Sequence, residues 1–565
     1  NQYAATKRTR AIIIVDAVNE SQASGVRWEQ FDRVNKYKNL GVILSVRSGF
    51  EQSEIPPSVL KSYVKVEHEG FVSHEWEALT KFFTEYNLPL PEVPILFSEF
   101  RIPLFLKIFC EAFAKSPKPI KGHRGFTHIF EKYVIAQGKA VLEKLGETGE
   151  SVRRIWNGTI KEFALYMGEN GTDRVPEKRA ISIVAKQFPS RGKKALAVLE
   201  KYWLITKAPR YKKYKIIGFD YRFPYQKFSD HLIVRNLLKK HLINTASPLQ
   251  YFKKGTKVGN IIKDEWSNRG LIEALSIQVP ERLRGRELVY VAPKKFRYQE
   301  IAKDSFLESL TWRDLSLKNG KPKYINQKWV LSYLNKYILP YYGGNEKILE
   351  TLITVSAIPN HPLNARLLHR YLAKKKMPER DAFWLPFINN RYGDEGAVNR
   401  LLAWAWHGGD KSKTQDSFLR LAGVTLAWFL ASSNRFLRDR STKALVSMFN
   451  GRIPVFLKVL DDFKSIDDPY IQERLCAVTY GCVLQPGNKK EDVSKLALHT
   501  YNSIFKDRKP PTHILLRDYA RGVIEVAVTQ DTTLKSKIDI KRVRPPYGSS
   551  FATAISSLAD LKRKY

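Results

Sequence analysis

The chain has 565 residues, 43% of them hydrophobic, enough to bury several cores and to form about three or four domains. Its 95 Lys and Arg outnumber 56 Asp and Glu, giving a net charge of +39 that is spread along the chain and attracts polyanions. No apolar run reaches the length of a membrane span, no signal peptide is visible, and no HExxH or Cys/His cluster occurs, so neither a membrane partner nor a structural metal is expected.

The first element is Ala11-Ile-Ile-Ile-Val-Asp16-Ala-Val-Asn-Glu20. A continuous branched apolar run suits a parallel strand buried on both faces, with ligand groups at its carboxyl end. Read as a Walker B strand, it places Asp16 where a magnesium ion is held, since magnesium takes only one or two protein carboxylates beside water and phosphate. Glu20 is then free to orient or deprotonate an attacking water. Leu40-Gly-Val-Ile-Leu-Ser-Val-Arg47 reads as a second strand, whose Ser45 and Arg47 land beside that carboxylate. The Arg47 guanidinium suits a terminal phosphate, the bland alternative being a surface arginine that closes a strand. No G-x-x-x-x-G-K-[ST] loop is present: Gly138-Lys139 is followed by Ala, Gly192-Lys193 by Lys and Gly320-Lys321 by Pro. The chain is therefore expected to be a fragment lacking an amino-terminal part, unable to bind ATP tightly alone.

Beyond the strands the pattern turns helical. Trp76, Leu79, Phe82, Phe83 and Tyr86 recur at three- and four-residue spacing and predict a helix over 72–87. The prolines of Leu88-Pro-Leu-Pro-Glu-Val-Pro94 end it. Pro103 opens a helix in whose first turn the missing amide costs nothing; this helix is apolar nearly all round, with Lys107 and Glu111 as its polar strip. From about 150 to 245, helices surround a hairpin running from Tyr202-Trp-Leu-Ile to Ile216-Ile-Gly-Phe, which suggests a winged helix. Its turn belongs to Arg191–Lys215, where nine basic residues mix with Tyr202, Trp203, Tyr211 and Tyr214. That stretch reads first as a solvated helix and strand wing, and second as a nucleic-acid face. Ser229 or Asp230 is expected to cap the following helix, with His231 in its first turn, as a structural group or within reach of a diphosphate. From about 250 onward, short helical runs follow with no further strand cluster. Stripes such as Leu421, Val424, Trp428 and Phe429 fit an α-solenoid that presents an extended recognition surface. Cys110, Cys476 and Cys482 read as buried thiols of a reducing, cytoplasmic compartment.

Several segments carry a family resemblance. They are Ile14-Val-Asp-Ala-Val-Asn-Glu20, Leu44-Ser-Val-Arg47, His68-Glu-Gly-Phe71, Pro103-Leu-Phe-Leu-Lys107 and Arg222-Phe to Phe228-Ser-Asp-His231. Further on come Ser309-Leu-Thr-Trp-Arg313, His361-Pro-Leu-Asn-Ala365, Met377-Pro-Glu-Arg-Asp381 and Ser433-Asn-Arg-Phe-Leu-Arg-Asp-Arg440. On these the chain resembles the central and early carboxyl-terminal part of the bacterial antiviral STAND NTPases (the Avs family) over most of its length.

The resemblance implies a multidomain, mostly α chain: 1–60 the end of an α/β P-loop core, 61–148 a helical domain, 149–245 a winged helix, and 246–565 TPR- or HEAT-like helical repeats. It implies ATP and Mg2+ as cofactors, with Asp16 and Glu20 as Walker B acids, Asp16 on the metal, Arg47 as sensor, Pro103 facing adenine and His231 sensing the diphosphate. Arg101-Ile102 stand before Pro103 where an Asn often precedes the proline. The implied partners are a phage structural or packaging protein such as a terminase or portal, further copies of the chain in a tetramer, and DNA through an absent effector. Two other classes remain open: a non-immune STAND regulator, and a basic helical scaffold that binds nucleic acid.

Overall fold

The computed structural model describes residues 6, 9–16, 34, 36–46, 55, 57–66, 68–91, 93–114, 125–147, 152–212, 215–394, 396–407, 411–507 and 509–549. Glu20 and Arg47 lie outside the described residues. The fold is mostly helical with few strands.

Ala11–Val15 (β1) and Leu40–Leu44 (β2) pair in parallel, Ala11 against Leu40 through Val15 against Leu44. The apolar runs do form strands, but they are not buried on both faces. Ile12 is 61% exposed, Ile14 68% and Ile43 52%. The physical reason is that a two-stranded pair gains cover only from layers stacked on it, and among the described residues the cover is small. Ile55 and Val59, flanked by Val15, Leu44, Val46, Leu60 and Tyr63, form a minor core at one edge.

The major core is continuous from Ala78 to Val543. It begins with Glu75–Glu85 (α1), Pro103–Phe113 (α2) and Phe126–Lys144 (α3). The helix expected over 72–87 is shorter because Val72–His74 form a 3-10 turn before α1 starts. Pro103 does stand at the first position of α2, and Phe105, Leu106, Phe109 and Cys110 fill the space against α3. Lys107 of the polar strip sits 4.2 Å from the Trp203 ring centre.

Next come Lys161–Asn170 (α4), Val175–Pro176 (β3), Glu177–Gln187 (α5), Gly192–Lys201 (α6), Thr206–Lys212 (β4), Lys215–Arg222 (β5) and Gln226–His241 (α7). The three strands make an antiparallel sheet in the order β3-β5-β4. Pro209 is tolerated because β4 is an edge strand, where a missing N–H breaks no ladder on the open side. Contrary to the sequence reading, α7 starts at Gln226, so Ser229 and Asp230 lie inside it and do not cap it, and His231 falls in its second turn. Aromatic packing by Phe223 and Phe228 against Phe163 and Phe130 draws the helix start earlier.

Among the described residues that follow, the regular structure is helical apart from a two-by-two-residue hairpin, Leu317–Lys318 with Lys321–Pro322, that periodicity did not signal. Its principal helices are Arg269–Arg282 (α8), Glu300–Trp312 (α9), Gln327–Tyr333 (α10), Gly344–Thr354 (α11), Ala365–Ala373 (α12), Met377–Arg391 (α13) and Ala397–His407 (α14). Then follow Asp416–Phe429 (α15), Arg435–Phe449 (α16), Ile453–Phe463 (α17), Pro469–Leu484 (α18), Lys490–Ile504 (α19) and Ile514–Gln530 (α20). Most of these helices pack in two rows. One row runs α7, α8, α9, α11, α14, α16, α18, α20, and a second runs α12, α15, α17, α19. Among the described residues no helix is long and apolar enough to cross a membrane.

Candidate functional site

Asp16 is the first residue after β1 and Ser45 the first after β2, so in-register parallel pairing sets them side by side. The Ser45 hydroxyl donates to Asp16 Oδ1, and the Ser45 N–H donates to the Val15 carbonyl at 2.9 Å. Both side chains are exposed. A carboxylate steadied by a hydroxyl and open to water is a hard-oxygen donor set that fits magnesium, which retains most of its waters. Among the described residues, no group of three or more His, Cys, Asp or Glu side chains is arranged to enclose a metal.

Pro103, half-buried, and His231, buried, belong to a different region, the helical body. Gly70, with φ of +82°, lies so close to the carbonyl of Arg101 that a Cβ there would meet its oxygen at 2.3 Å. The Phe71 N–H donates to the same carbonyl at 2.8 Å. The 68–71 turn therefore clamps the chain just before Pro103. Two residues on, Phe105 packs on Phe126 and Tyr225 with ring centres 5.7 and 6.2 Å apart. Thr127, next to Phe126, reaches His231.

His231 is 2% exposed. Its Nε2 lies 3.1 Å from Thr127 Oγ1, and the Thr127 hydroxyl donates to Glu281 Oε2 at 2.7 Å. A threonine hydroxyl has one proton, so when Glu281 is ionised His231 carries its proton on Nε2 and donates to Thr127. Burial, with help from the Arg235 charge, lowers the imidazole to about 3. Burial likewise raises Glu281 to about 7 against its hydrogen bonds from Thr127 and the Asp314 N–H.

The two groups act oppositely on stability. Neutral His231 disfavours folding as pH falls below its ordinary value, where the unfolded chain takes up a proton. Glu281 holds a proton in the folded state that the unfolded chain releases, so its contribution is present at low pH and is lost as pH rises through about 7. Glu281→Gln should therefore stabilise the protein by about 1–2 kcal/mol more at pH 8 than at pH 5.5. Thermal unfolding at both pH values checks this, and an equal shift at both would refute it.

The chain matches no family model and no curated protein.

Sequence reasoning missed the charged group beside this region. Lys227, in the first turn of α7, lies 2.5 Å from Glu99 Oε1 and 3.3 Å from Glu308 Oε1. Burial alone would lower its pKa, but the two carboxylates outweigh burial and hold it well above its usual value. Burial and the neighbouring Glu99 charge push Glu308 up, whereas Lys227 overcomes burial at Glu99 and lowers it. Glu99 therefore bears the charge that pairs with Lys227, and Glu308 carries the proton. These residues are more than eighty positions apart in sequence, and no spacing signals them.

Four of the later segments that carry the family resemblance, at 309–313, 361–365, 377–381 and 433–440, lie at seams of the helical body. Arg313 makes a two-pronged pair with Glu287 at 2.8 and 2.7 Å and donates to Ser309 Oγ at 2.6 Å, with both charged side chains fully buried. His361 donates from Nε2 to the Leu310 carbonyl at 3.0 Å and accepts at Nδ1 from the Leu363 N–H at 3.1 Å. Arg380 pairs with Asp468 at 2.9 Å, and Asp468 caps α18. Asn434 caps α16 by accepting from Phe436 and Leu437 N–H groups. Of the cysteines, Cys110 and Cys482 are fully buried and Cys476 partly so; burial pushes all three thiols up to about 12, which keeps them protonated.

Proposed function

We propose that this chain is the switch and sensor portion of an antiviral STAND NTPase that recognises a phage structural or packaging protein, assembles with copies of itself and turns on an effector. The observation that carries the reading is Asp16 held by Ser45 at the joined carboxyl ends of two parallel strands, the place where open α/β sheets bind their ligands. On this reading Asp16 holds the Mg2+ of bound ATP and Ser45 fixes the carboxylate; the ion neutralises phosphate charge when present. Following the resemblance, Glu20 orients water and Arg47 reads the terminal phosphate.

The β3-β5-β4 sheet with α4 to α7 supports a winged helix over 149–245. The two rows of helices support a TPR- or HEAT-like solenoid within 246–565, whose neighbour-only packing leaves an extended surface for a target. Pro103 would face adenine at the start of α2. His231 would meet a diphosphate only in a state where α3 and α7 have parted, because here Thr127 and Phe130 enclose it. A target that moves the assembly-competent state from one to ninety-nine percent must favour it by about 5.5 kcal/mol, and an extended helical surface can supply that.

The test is phage plating on bacteria that express the intact protein carrying this chain. Plating is expected to fall for phages whose target is recognised and to recover fully with Asp16→Ala. Protection that survives Asp16→Ala removes the nucleotide-switch reading. Target-independent, ATP-driven assembly without protection would make the protein a non-immune regulator.

A further inference from the structure

The geometry points to a docking groove for an acidic amphipathic helix, formed where α10, α11 and α12 diverge. The groove has a volume of about 680 Å³. Its floor is aliphatic, with Leu331, Leu339, Ile348, Leu367 and Tyr371 among the lining residues, and Leu339 and Tyr371 are 42% and 38% exposed.

Local sequence opens this space. After α10 the chain makes a π turn over Leu334–Ile338, closed by the Leu339 N–H donating to the Leu334 carbonyl at 2.8 Å. A π turn widens a helix by one residue and is often found at functional sites. Gly343 then takes a left-handed conformation, φ of +70°, and a Cβ on Gly344 would meet the Ile338 carbonyl oxygen at 1.9 Å. Only glycine allows α11 to start this close to the π turn, so Leu339 is left at the rim rather than folded inward.

The charge around the floor selects the occupant. The charged lining residues are Lys328, Arg370 and Lys374, all exposed, and no carboxylate pairs with any of them among the described residues. On α11, by contrast, Lys347 is paired, meeting Asp304 at 2.7 Å, and the acids Glu346 and Glu350 face Arg391 of α13 rather than the groove cations. A hydrophobic stripe flanked by unpaired cations complements a helix with leucine-like residues at i, i+3, i+4 and i+7 and acidic residues on its flanks. Nucleic acid fits less well, because single strands stack on aromatic platforms and this floor is mainly aliphatic.

The inference deepens the recognition half of the proposed function and rests on it only for what docking triggers. Binding itself is read without nucleotide, so failure here leaves the Asp16 reading untouched, and failure of that reading leaves the groove.

The probe is a fluorescein-labelled synthetic peptide of about 16 residues, roughly 24 Å of helix, with a leucine stripe and glutamates on its flanks. Anisotropy against the whole chain is compared with a lysine-for-glutamate peptide, a scrambled peptide of equal composition and a single-stranded DNA. The striped acidic peptide should bind at least about tenfold more tightly than its scrambled and lysine versions. Leu339→Glu, or Arg370→Glu with Lys374→Glu, should weaken it about tenfold, while Lys254→Glu with Lys263→Glu leaves it within about twofold. The reversed groove should gain affinity for the lysine peptide, which an unfolded variant cannot do. No binding, equal binding of the scrambled peptide, equal loss in the distant variant, or DNA that depends on the same residues overturns the proposal.

Discussion

Arg313→Met should cost about 3–5 kcal/mol, the largest loss of stability expected from a single change, because it strands the Glu287 carboxylate in the interior. Both side chains are fully buried, and the guanidinium satisfies Glu287 through two hydrogen bonds at 2.8 and 2.7 Å. Burial raises the Glu287 pKa, and Arg313 opposes it. With Arg313 gone, burial acts alone, and folding must either protonate the acid or bury its charge. The variant should melt at least about 4 °C lower at neutral pH. Adding Glu287→Leu should recover much of the loss, since a well-packed apolar pair often equals a buried ion pair. A double variant no better than the single one would show that Arg313 acts through packing on Phe306 and the hydrogen bond to Ser309.

Lys227→Met should cost nearly as much, about 3 kcal/mol at pH 8, and far less at pH 5. Lys227 lies between Glu99 and Glu308, and its charge is what keeps Glu99 ionised in a buried site. A depressed carboxyl pKa contributes stability that is present above the ordinary carboxylate range and lost as pH falls through the lowered value. Without Lys227 the sign reverses: Glu99 is then raised by burial and by its acidic neighbour, so stability is lost as pH rises. Melting curves of wild type and variant should therefore lie close at pH 5 and separate progressively toward pH 8. A separation that does not change with pH would show that Lys227 contributes only its aliphatic stem. Glu308→Gln in the Lys227→Met background should narrow the gap by removing one of the two crowded acids.

Local signals were legible where one residue decides the backbone. Pro103 starts α2 because its fixed φ suits the first helical turn, and the branched runs at 11–15 and 40–44 form strands. The chain-end alignment of Asp16 with Ser45 follows from strand lengths alone once the pairing is parallel. What stayed hidden was tertiary. Whether Ile12 and Ile14 are covered depends on which layers stack on β1, and a pattern of hydrophobicity cannot report that. Ser229 and Asp230 are good capping residues, but aromatic packing of Phe228 moves the start of α7 to Gln226 and overrides them. The Glu99, Lys227 and Glu308 group and the Thr127, His231 and Glu281 chain join positions far apart in sequence, so their chemistry exists only after folding. The family-like segments from Ser309 onward were visible as motifs, yet their local work is capping, hydrogen bonding and ion pairing between helices.

The described residues form two separate apolar cores. The chain leaves the small core at Tyr63 and joins the large one at Phe71, and between them Val64 and Val66 are 90% and 83% exposed. On the proposed reading, a rearrangement at Asp16 would reach the helical body by changing which surfaces adhere to the exposed strand residues Ile12, Ile14 and Ile43, in the manner of a clutch rather than a lever.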